Sequence, residues 1–268
     1  MNLSPFKNEP YEDFSIPENR KAMEESLRQV ESEFGKEWDI VIGGEYIKSD
    51  KKIESINPSN PEEIVGICQS GTKEMAEKAV EVASQKFEEW RFTTAEERAG
   101  YLFKAAAIMR RRKMELAATM VLEIGKNWLE AVADVAEAID FLDFYGREML
   151  RLGKPQPLTP YPGEINQYHY IPLGVGIVIP PWNFPLAILA GMTSASIVTG
   201  NTVILKPASI TPVIGAKFME IMDEAKLPDG VLNFLSGGGG AIGDTLVDHP
   251  KTRFINFTGS MEVGLRIV

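Results

Sequence analysis

Val175-Gly176-Ile177-Val178-Ile179-Pro180-Pro181-Trp182-Asn183-Phe184-Pro185 is an apolar run that stops at a proline-rich turn. A strand apolar on both faces suits a parallel sheet covered by helices on each side. Residues 202–205, 231–235 and 254–257 repeat the pattern, each followed by a helical segment or a loop leading to one. Four β-α alternations of this kind predict an α/β fold with a doubly wound parallel sheet. Ligands in such sheets sit beyond the carboxyl ends of the strands, so the residues just after each apolar run carry the functional reading.

Upstream the rhythm is different. Ser15-Ile16-Pro17-Glu18 reads as a capping box with proline in the first turn, followed by Ala22, Met23, Leu27, Val30 and Phe34 at helical spacing and Gly35 as a stop. Ile40-Val41-Ile42, the Gly43-Gly44 turn, Tyr46-Ile47 and residues 64–67 have strand composition. From Thr72 to Leu152 the pattern is helical again, with a second capping box at Thr94-Ala95-Glu96-Glu97. Arg110-Arg111-Arg112-Lys113 reads as a solvated helix face rather than a phosphate patch, given the acidic background. Four prolines between Pro155 and Pro162 mark a linker, and beyond it Ile165, Gln167, His169 and Ile171 alternate with other side chains as in an extended strand.

Composition excludes several classes of protein. The chain has 268 residues, 44% of them hydrophobic, which is enough for one large or two modest domains. One cysteine, Cys68, and two histidines permit neither a disulfide framework nor a metal-ligand cluster, so no metal is expected. A net charge of −10 disfavours nucleic acid as a partner. No apolar run approaches the roughly 20 residues that span a bilayer. Met1-Asn2-Leu3-Ser4-Pro5 lacks a signal-peptide pattern, so the expected setting is cytoplasmic. Residues 1–173 carry 22 basic and 31 acidic side chains against 6 and 7 in the remainder, so the two parts have different surfaces.

Each loop offers chemistry. Prolines at 180, 181 and 185 stiffen the first and hold Trp182 and Asn183 at the sheet's mouth. An amide presented that way suits a preorganised oxyanion donor, with helix capping as the alternative role for Asn183. In Leu205-Lys206-Pro207-Ala208-Ser209 a lone lysine leaves an apolar run, either to bond a nucleotide's ribose or phosphate or as an ordinary edge lysine. The run from Gly237 to Gly243 matches G-x-G-x-x-G loosely through Gly238, Gly240 and Gly243, but it follows the third strand, and Asp244 stands where a P-loop requires lysine. What remains is a glycine turn that lets a ligand approach a helix start, or a plain surface turn. Phe257-Thr258-Gly259-Ser260 offers Ser260 as a pyrophosphate contact, a helix N-cap, or both.

These motifs, in this order and approximate spacing, resemble the aldehyde dehydrogenase superfamily from Asp39 onward. Pro10-Tyr11-Glu12-Asp13-Phe14, Glu137-Ala138-Ile139-Asp140-Phe141 and Gly174-Val175-Gly176-Ile177-Val178 look most like its 1-pyrroline-5-carboxylate dehydrogenase branch, which oxidises glutamate γ-semialdehyde to glutamate with NAD. The resemblance implies that Asn183 donates to the thiohemiacetal oxyanion and that Lys206 binds the adenosine ribose. Pro181, Trp182, Pro207, Gly239, Gly243 and Ser260 would line the cofactor path, and Phe184 would face the aldehyde's carbon chain. It further implies a helical arm over 1–38, a Rossmann-like NAD-binding domain from 39–154 and 173–268, and a proline-rich linker with a bridging strand over 155–172. The expected partners are a small aldehyde and, at full length, further copies of the same chain, with no nucleic acid and no membrane.

Two departures matter. Many NAD-dependent relatives carry glutamate at the position of Ser209, where the carboxylate bridges ribose hydroxyls and repels a 2′-phosphate, so NADP stays open as a cofactor. The family's cysteine nucleophile and glutamate base lie beyond the Phe-Thr-Gly-Ser motif, and this sequence runs only to Val268. The chain is therefore expected to hold the cofactor domain without the catalytic domain, the alternatives being a standalone nucleotide-binding module or another aldehyde dehydrogenase branch. Cys68, inside an apolar run, reads as a core thiol that cannot substitute. The purified 268-residue chain should form no NADH from glutamate γ-semialdehyde, and its Cys68→Ser variant should behave identically; turnover by either one contradicts this reading.

Overall fold

The computed structural model describes residues 3–268; Met1 and Asn2, the start of the N-terminal reading, lie outside them. Helix α1 (Pro17–Glu31) leads into strands β1 (Glu37–Trp38), β2 (Ile40–Ile42), β3 (Glu45–Ile47), β4 (Lys52–Ile56) and β5 (Ile64–Gln69). Four helices follow: α2 (Lys73–Trp90), α3 (Ala95–Arg111), α4 (Lys113–Ile124) and α5 (Trp128–Leu152). After the linker come β6 (Val175–Ile179), α6 (Ala187–Val198), β7 (Thr202–Leu205), α7 (Pro212–Glu224) and β8 (Leu232–Phe234). A π-helical turn (Gly239–Gly243), α8 (Asp244–Asp248), β9 (Thr252–Phe257) and α9 (Met261–Ile267) complete the chain. No described helix is long and apolar enough to cross a membrane.

The main sheet has six strands in the order β3-β2-β8-β7-β6-β9. Its β8-β7-β6-β9 part is parallel, as the four apolar runs require, while β2 pairs antiparallel with both β8 and β3. The Gly43-Gly44 turn joins β2 to β3 because both glycines adopt positive φ, 63° and 83°, which closes a two-residue hairpin. A smaller sheet, β1-β5-β4, stands apart from it.

Alternate side chains of the main sheet feed two cores. Ile40, Ile42, Val175, Ile177 and Ile204 pack with α2, through Ala76, Ala79, Val80 and Ala83, and with α8. Val41, Val178, Val203, Leu205 and Phe234 face the opposite way, into a larger core shared with α3 to α7. Each buried Val, Leu or Ile contributes roughly 1.5–3 kcal/mol. The doubly wound fold expected from the sequence is therefore present.

Local signals succeed where the partner is local. Thr94 Oγ1 accepts from the Glu97 amide at 3.2 Å as the capping box predicts, and Asn127 Oδ1 caps α5 through the Glu130 amide at 2.9 Å. The capping box at Ser15 does not form: Ile16 flanks α1 with no side-chain cap, and Asp13 accepts from the Ser15 amide at 2.8 Å in a turn ahead of the helix. The expected strand over 165–171 is also absent, its one ladder contact being a bridge from Tyr168 to Gln156. With no sheet edge opposite, an alternating pattern has nothing to pair with, and Ile165 is 94% exposed.

The Arg110–Lys113 run is a solvated face only in part: Arg110 and Arg111 are exposed, Arg112 is half-buried and Lys113 is buried. Arg110 bonds Glu9 and Asp143, Arg111 bonds Glu224, and Arg112 bridges Glu115 and Glu220. The Lys113 ammonium donates to the Pro10 carbonyl at 2.6 Å and pairs with Glu9 and Glu12. Arg110 and Lys113, with Asp140 accepting from the Asn8 side chain and the Glu9 amide and Arg147 donating to the Ser4 carbonyl, strap residues 4–12 across α3, α4 and α5.

Lys217, 2% exposed on α7, ties that helix to α4 and to the turn after α1 by pairing with Glu33 at 3.0 Å and with Glu115 at 2.9 Å. Burial pushes the Glu115 carboxyl up, but bonds from Arg112 and the charge of Lys217 outweigh it and hold its pKa at about 2. A carboxyl depressed in the folded state stabilises fully above its unfolded value of 4.5 and loses that contribution as pH falls toward 2. Glu115→Gln should therefore cost roughly 2–4 kcal/mol at neutral pH and flatten the acid limb of the stability curve. Urea denaturation at pH 7 and pH 3 checks this, and equal midpoints for both proteins at pH 7 would refute it.

Candidate cofactor cleft

Because β6, β7, β8 and β9 run parallel, their carboxyl ends open on one side of the sheet, and the loops that follow enclose a cleft of about 890 Å³. Pro181, Trp182, Asn183, Lys206, Gly239, Gly243 and Ser260, singled out on four separate stretches of sequence, all line it. Pro207, Ser209 and Phe184 do not. Pro207 packs toward Gly215 of α7, and Ser209 Oγ sits 3.4 Å from the Gly237 carbonyl. The half-exposed Phe184 ring lies 4.1 Å from the Lys126 ammonium.

Asn183 is exposed, and its side chain makes no hydrogen bond among the described residues. It does not cap α6. That helix begins at Ala187 after Leu186, which supplies no side-chain cap, and the Ala187 amide donates to Asp134 Oδ1 at 2.6 Å. The capping alternative is thereby removed, and the amide is left for something in the cleft.

Lys206 is 7% exposed and forms no ion pair among the described residues; its ammonium has only the Pro207 carbonyl, at 3.4 Å. Burial lowers its pKa. A desolvated cation with unused donors in a cleft wall fits hydroxyl or phosphate oxygens.

The glycine turn points the same way. Gly239, Gly240 and Gly243 have none of the positive φ angles that glycine alone tolerates, and a Cβ added to any of them meets nothing within 4 Å. Neither backbone strain nor protein packing requires glycine there, so the unfilled space belongs to the cleft. Ser260 caps the short helix α9 by accepting from the Val263 amide at 3.3 Å, and it lines the cleft as well.

Cys68 lies outside this site. It is fully buried on β5, and burial pushes its thiol far up from the ordinary range. Three residues that support the cleft escaped the sequence reading: Glu123, Lys126 and Asp134. The Asp134 carboxylate, 0% exposed, pairs with the Lys126 ammonium at 2.6 Å, and burial raises its pKa. Glu123 accepts from the Ser55 hydroxyl at 2.9 Å and from the Val213 and Ile214 amides at 2.7 and 3.0 Å. Burial pushes its pKa up to about 7 against those bonds. The one sequence signal was negative: Pro185-Leu186 offers α6 no local cap, so a distant acceptor had to exist.

A cleft of this shape at the mouth of a doubly wound sheet defines a nucleotide-type site. The model of the aldehyde dehydrogenase family matches residues 46–268, and the chain belongs to that family. It is 57% identical over 265 residues to 1-pyrroline-5-carboxylate dehydrogenase of Geobacillus sp. strain WCH70, covering 99% of this chain and 52% of that protein. The corresponding Bacillus cytotoxicus protein is 56% identical over 262 residues, at 98% and 51% coverage. The crystal structure of a Thermus 1-pyrroline-5-carboxylate dehydrogenase with bound NAD superposes with a TM-score of 0.97 at 53% identity, covering 100% of this chain and 52% of that one. The chain thus spans about half the length of the relatives it matches.

If glycine at 239 and 243 serves the cleft and not the fold, Gly239→Ala and Gly243→Ala should stabilise the chain by about 0.4–1 kcal/mol, since both backbones suit alanine. Chemical denaturation reads this directly; a loss of stability in both would return the glycines to a structural role.

Proposed function

We propose that this chain supplies the cofactor cleft and the oxyanion-donating asparagine of an NAD-dependent aldehyde dehydrogenase that oxidises L-glutamate γ-semialdehyde to L-glutamate in the cytoplasm. The observation that carries the reading is the pairing, in one cleft, of a free Asn183 amide with a buried, unpaired Lys206. The similarity to proteins named 1-pyrroline-5-carboxylate dehydrogenase supports the choice of aldehyde.

Lys206 donates to the ribose hydroxyls of the cofactor, and Pro181, Trp182, Gly239, Gly243 and Ser260 form the walls along which it lies. Pro207 and Ser209 shape the Lys206 loop from behind. Ser209 carries no charge to repel a 2′-phosphate, so NADP fits as well as NAD. When bound, the dinucleotide provides the hydride acceptor. Asn183 meets the aldehyde's oxygen as negative charge develops on it, and the proline-stiffened turn holds that donor in place beforehand, so little reorganisation is needed. Phe184 faces the carbon chain of the aldehyde. The exposed segment 155–172, with Ile165 and Ile171 unburied and only the Gln156–Tyr168 bridge to pair it among the described residues, bridges copies of the enzyme.

In a polypeptide of the relatives' full length that contains this sequence, Asn183→Ala should lower kcat about 10²–10³-fold and leave cofactor affinity unchanged, as for loss of one oxyanion donor. Steady-state kinetics with a parallel NAD titration test this. Unchanged kcat would remove Asn183 from the chemistry.

A further inference from the structure

The two helices that follow the principal ligand-facing loops are both capped from behind. Helix α6 comes after the Asn183 loop and α7 after the Lys206 loop, and neither Leu186 nor Thr211 caps its helix with a side chain. The missing acceptors come from a single stretch behind the sheet. Glu123, in the last turn of α4, accepts from the first amides of α7, at Val213 and Ile214. Asp134, in α5, accepts from the first amide of α6 at Ala187. Between them Gly125 closes α4 in the left-handed region at φ 71°, and Lys126 reaches across to pair with Asp134 while its ammonium rests against the Phe184 ring.

From this juxtaposition we infer that the Glu123–Asp134 stretch is a shared buttress whose two ends set the two halves of the cleft independently. The Lys126–Asp134 pair positions the Asn183-Phe184 turn, and Glu123 positions the Lys206 loop. These are positioning residues, since none of the three lines the cleft. The physical case rests on cost. Asp134 is fully buried and the Lys126 side chain is 8% exposed, so breaking the pair strands a charge in the interior and the turn above must move to solvate it. A shift of a fraction of an ångström at Asn183 matters because an oxyanion donor acts only in a narrow geometry. Glu123 likewise fixes the rotational start of α7, and the Lys206 loop is anchored at its other end by the Lys206 amide donating to the Val178 carbonyl at 2.9 Å. Loosening α7 therefore moves the lysine without touching the Asn183 turn.

The inference deepens the proposed function and rests on it, so the test reads binding, turnover and loop order separately. In an enzyme of the relatives' full length containing this sequence, Lys126→Met should lower kcat about 10- to 100-fold while the NAD Kd stays within about twofold. Lys126→Arg, which keeps the pair and the ring contact, should restore most of the rate. Glu123→Gln should weaken NAD binding about tenfold with a smaller change in kcat. Parallel losses of rate and affinity in both variants, tracking a fall in Tm, would reduce the stretch to ordinary core and overturn the inference, as would wild-type kinetics in Lys126→Met. Should Glu123→Gln fail to fold, the Lys126 pair of variants decides the matter. If the unsubstituted enzyme oxidises no aldehyde, the proposed function fails on its own, and acrylamide quenching of the exposed Trp182 decides the buttress: Lys126→Met should raise the quenching constant about twofold, and an unchanged constant refutes it.

Discussion

Backbone pairing at β6 fixes the geometry of everything the chain presents to a ligand. Its register places Val178 opposite Leu205 on one side and Ile179 opposite Phe257 on the other. The hydrogen bonds continue one residue past each strand: the Lys206 amide donates to Val178, the Thr258 amide to Ile179 and the Leu235 amide to Leu205. The lysine, the threonine-glycine-serine turn and the start of the glycine run are thereby held at one level before any side chain is considered. Antiparallel pairing of the same strands would scatter these loops to both ends of the sheet, so the cleft is a consequence of strand direction.

That is also why so much was legible in the sequence. Apolar runs report strands, prolines and glycines report the turns, and a parallel sheet guarantees that those turns converge. Trp182, Asn183, Lys206, Gly243 and Ser260 could be singled out without knowing which strand neighbours which, because any parallel order brings their loops to the same edge, whereas Pro181 and Gly239 come from the family resemblance. What stayed hidden depended on partners more than fifty positions away. Asp134 and Ala187 are 53 apart and Glu123 and Val213 are 90 apart, and the local sequence shows at most that α6 lacks a cap, not which residue supplies one. Thr211, just before α7, supplies no side-chain cap. Ser15 fails because the cap position falls one residue later, at Ile16. The Arg110–Lys113 run reads correctly only at its exposed first half, because charge composition says where cations are and not which carboxylates fold back onto them.

Some of the carboxylates of residues 1–173 serve those contacts. Glu9, Glu12, Glu33 and Glu115 are each spent on a partly buried cation in α4 or α7. Pairs of this kind add little net stability over an apolar substitute, since desolvation offsets attraction. They select among alternatives instead: a shifted arm or a rotated α7 would leave Lys113 or Lys217 buried and uncompensated.

The strap formed by residues 4–12 also constrains the order in which the molecule can be assembled. Its anchors lie far downstream: Arg110 is 101 positions from Glu9, Asp140 is 132 from Asn8 and Arg147 is 143 from Ser4. Strand β2 waits longer still, for the Asn233 side chain that accepts from the Gly43 amide is 190 positions away. Closing loops of this length costs entropy that only a largely formed partner surface repays, so such contacts come late. On a ribosome residues 4–12 emerge before α3, α4 and α5 and have nowhere to dock until α5 has followed them out. They are thus made ahead of their anchors yet settle after them, and through that interval α3, α4 and α5 must hold together without them.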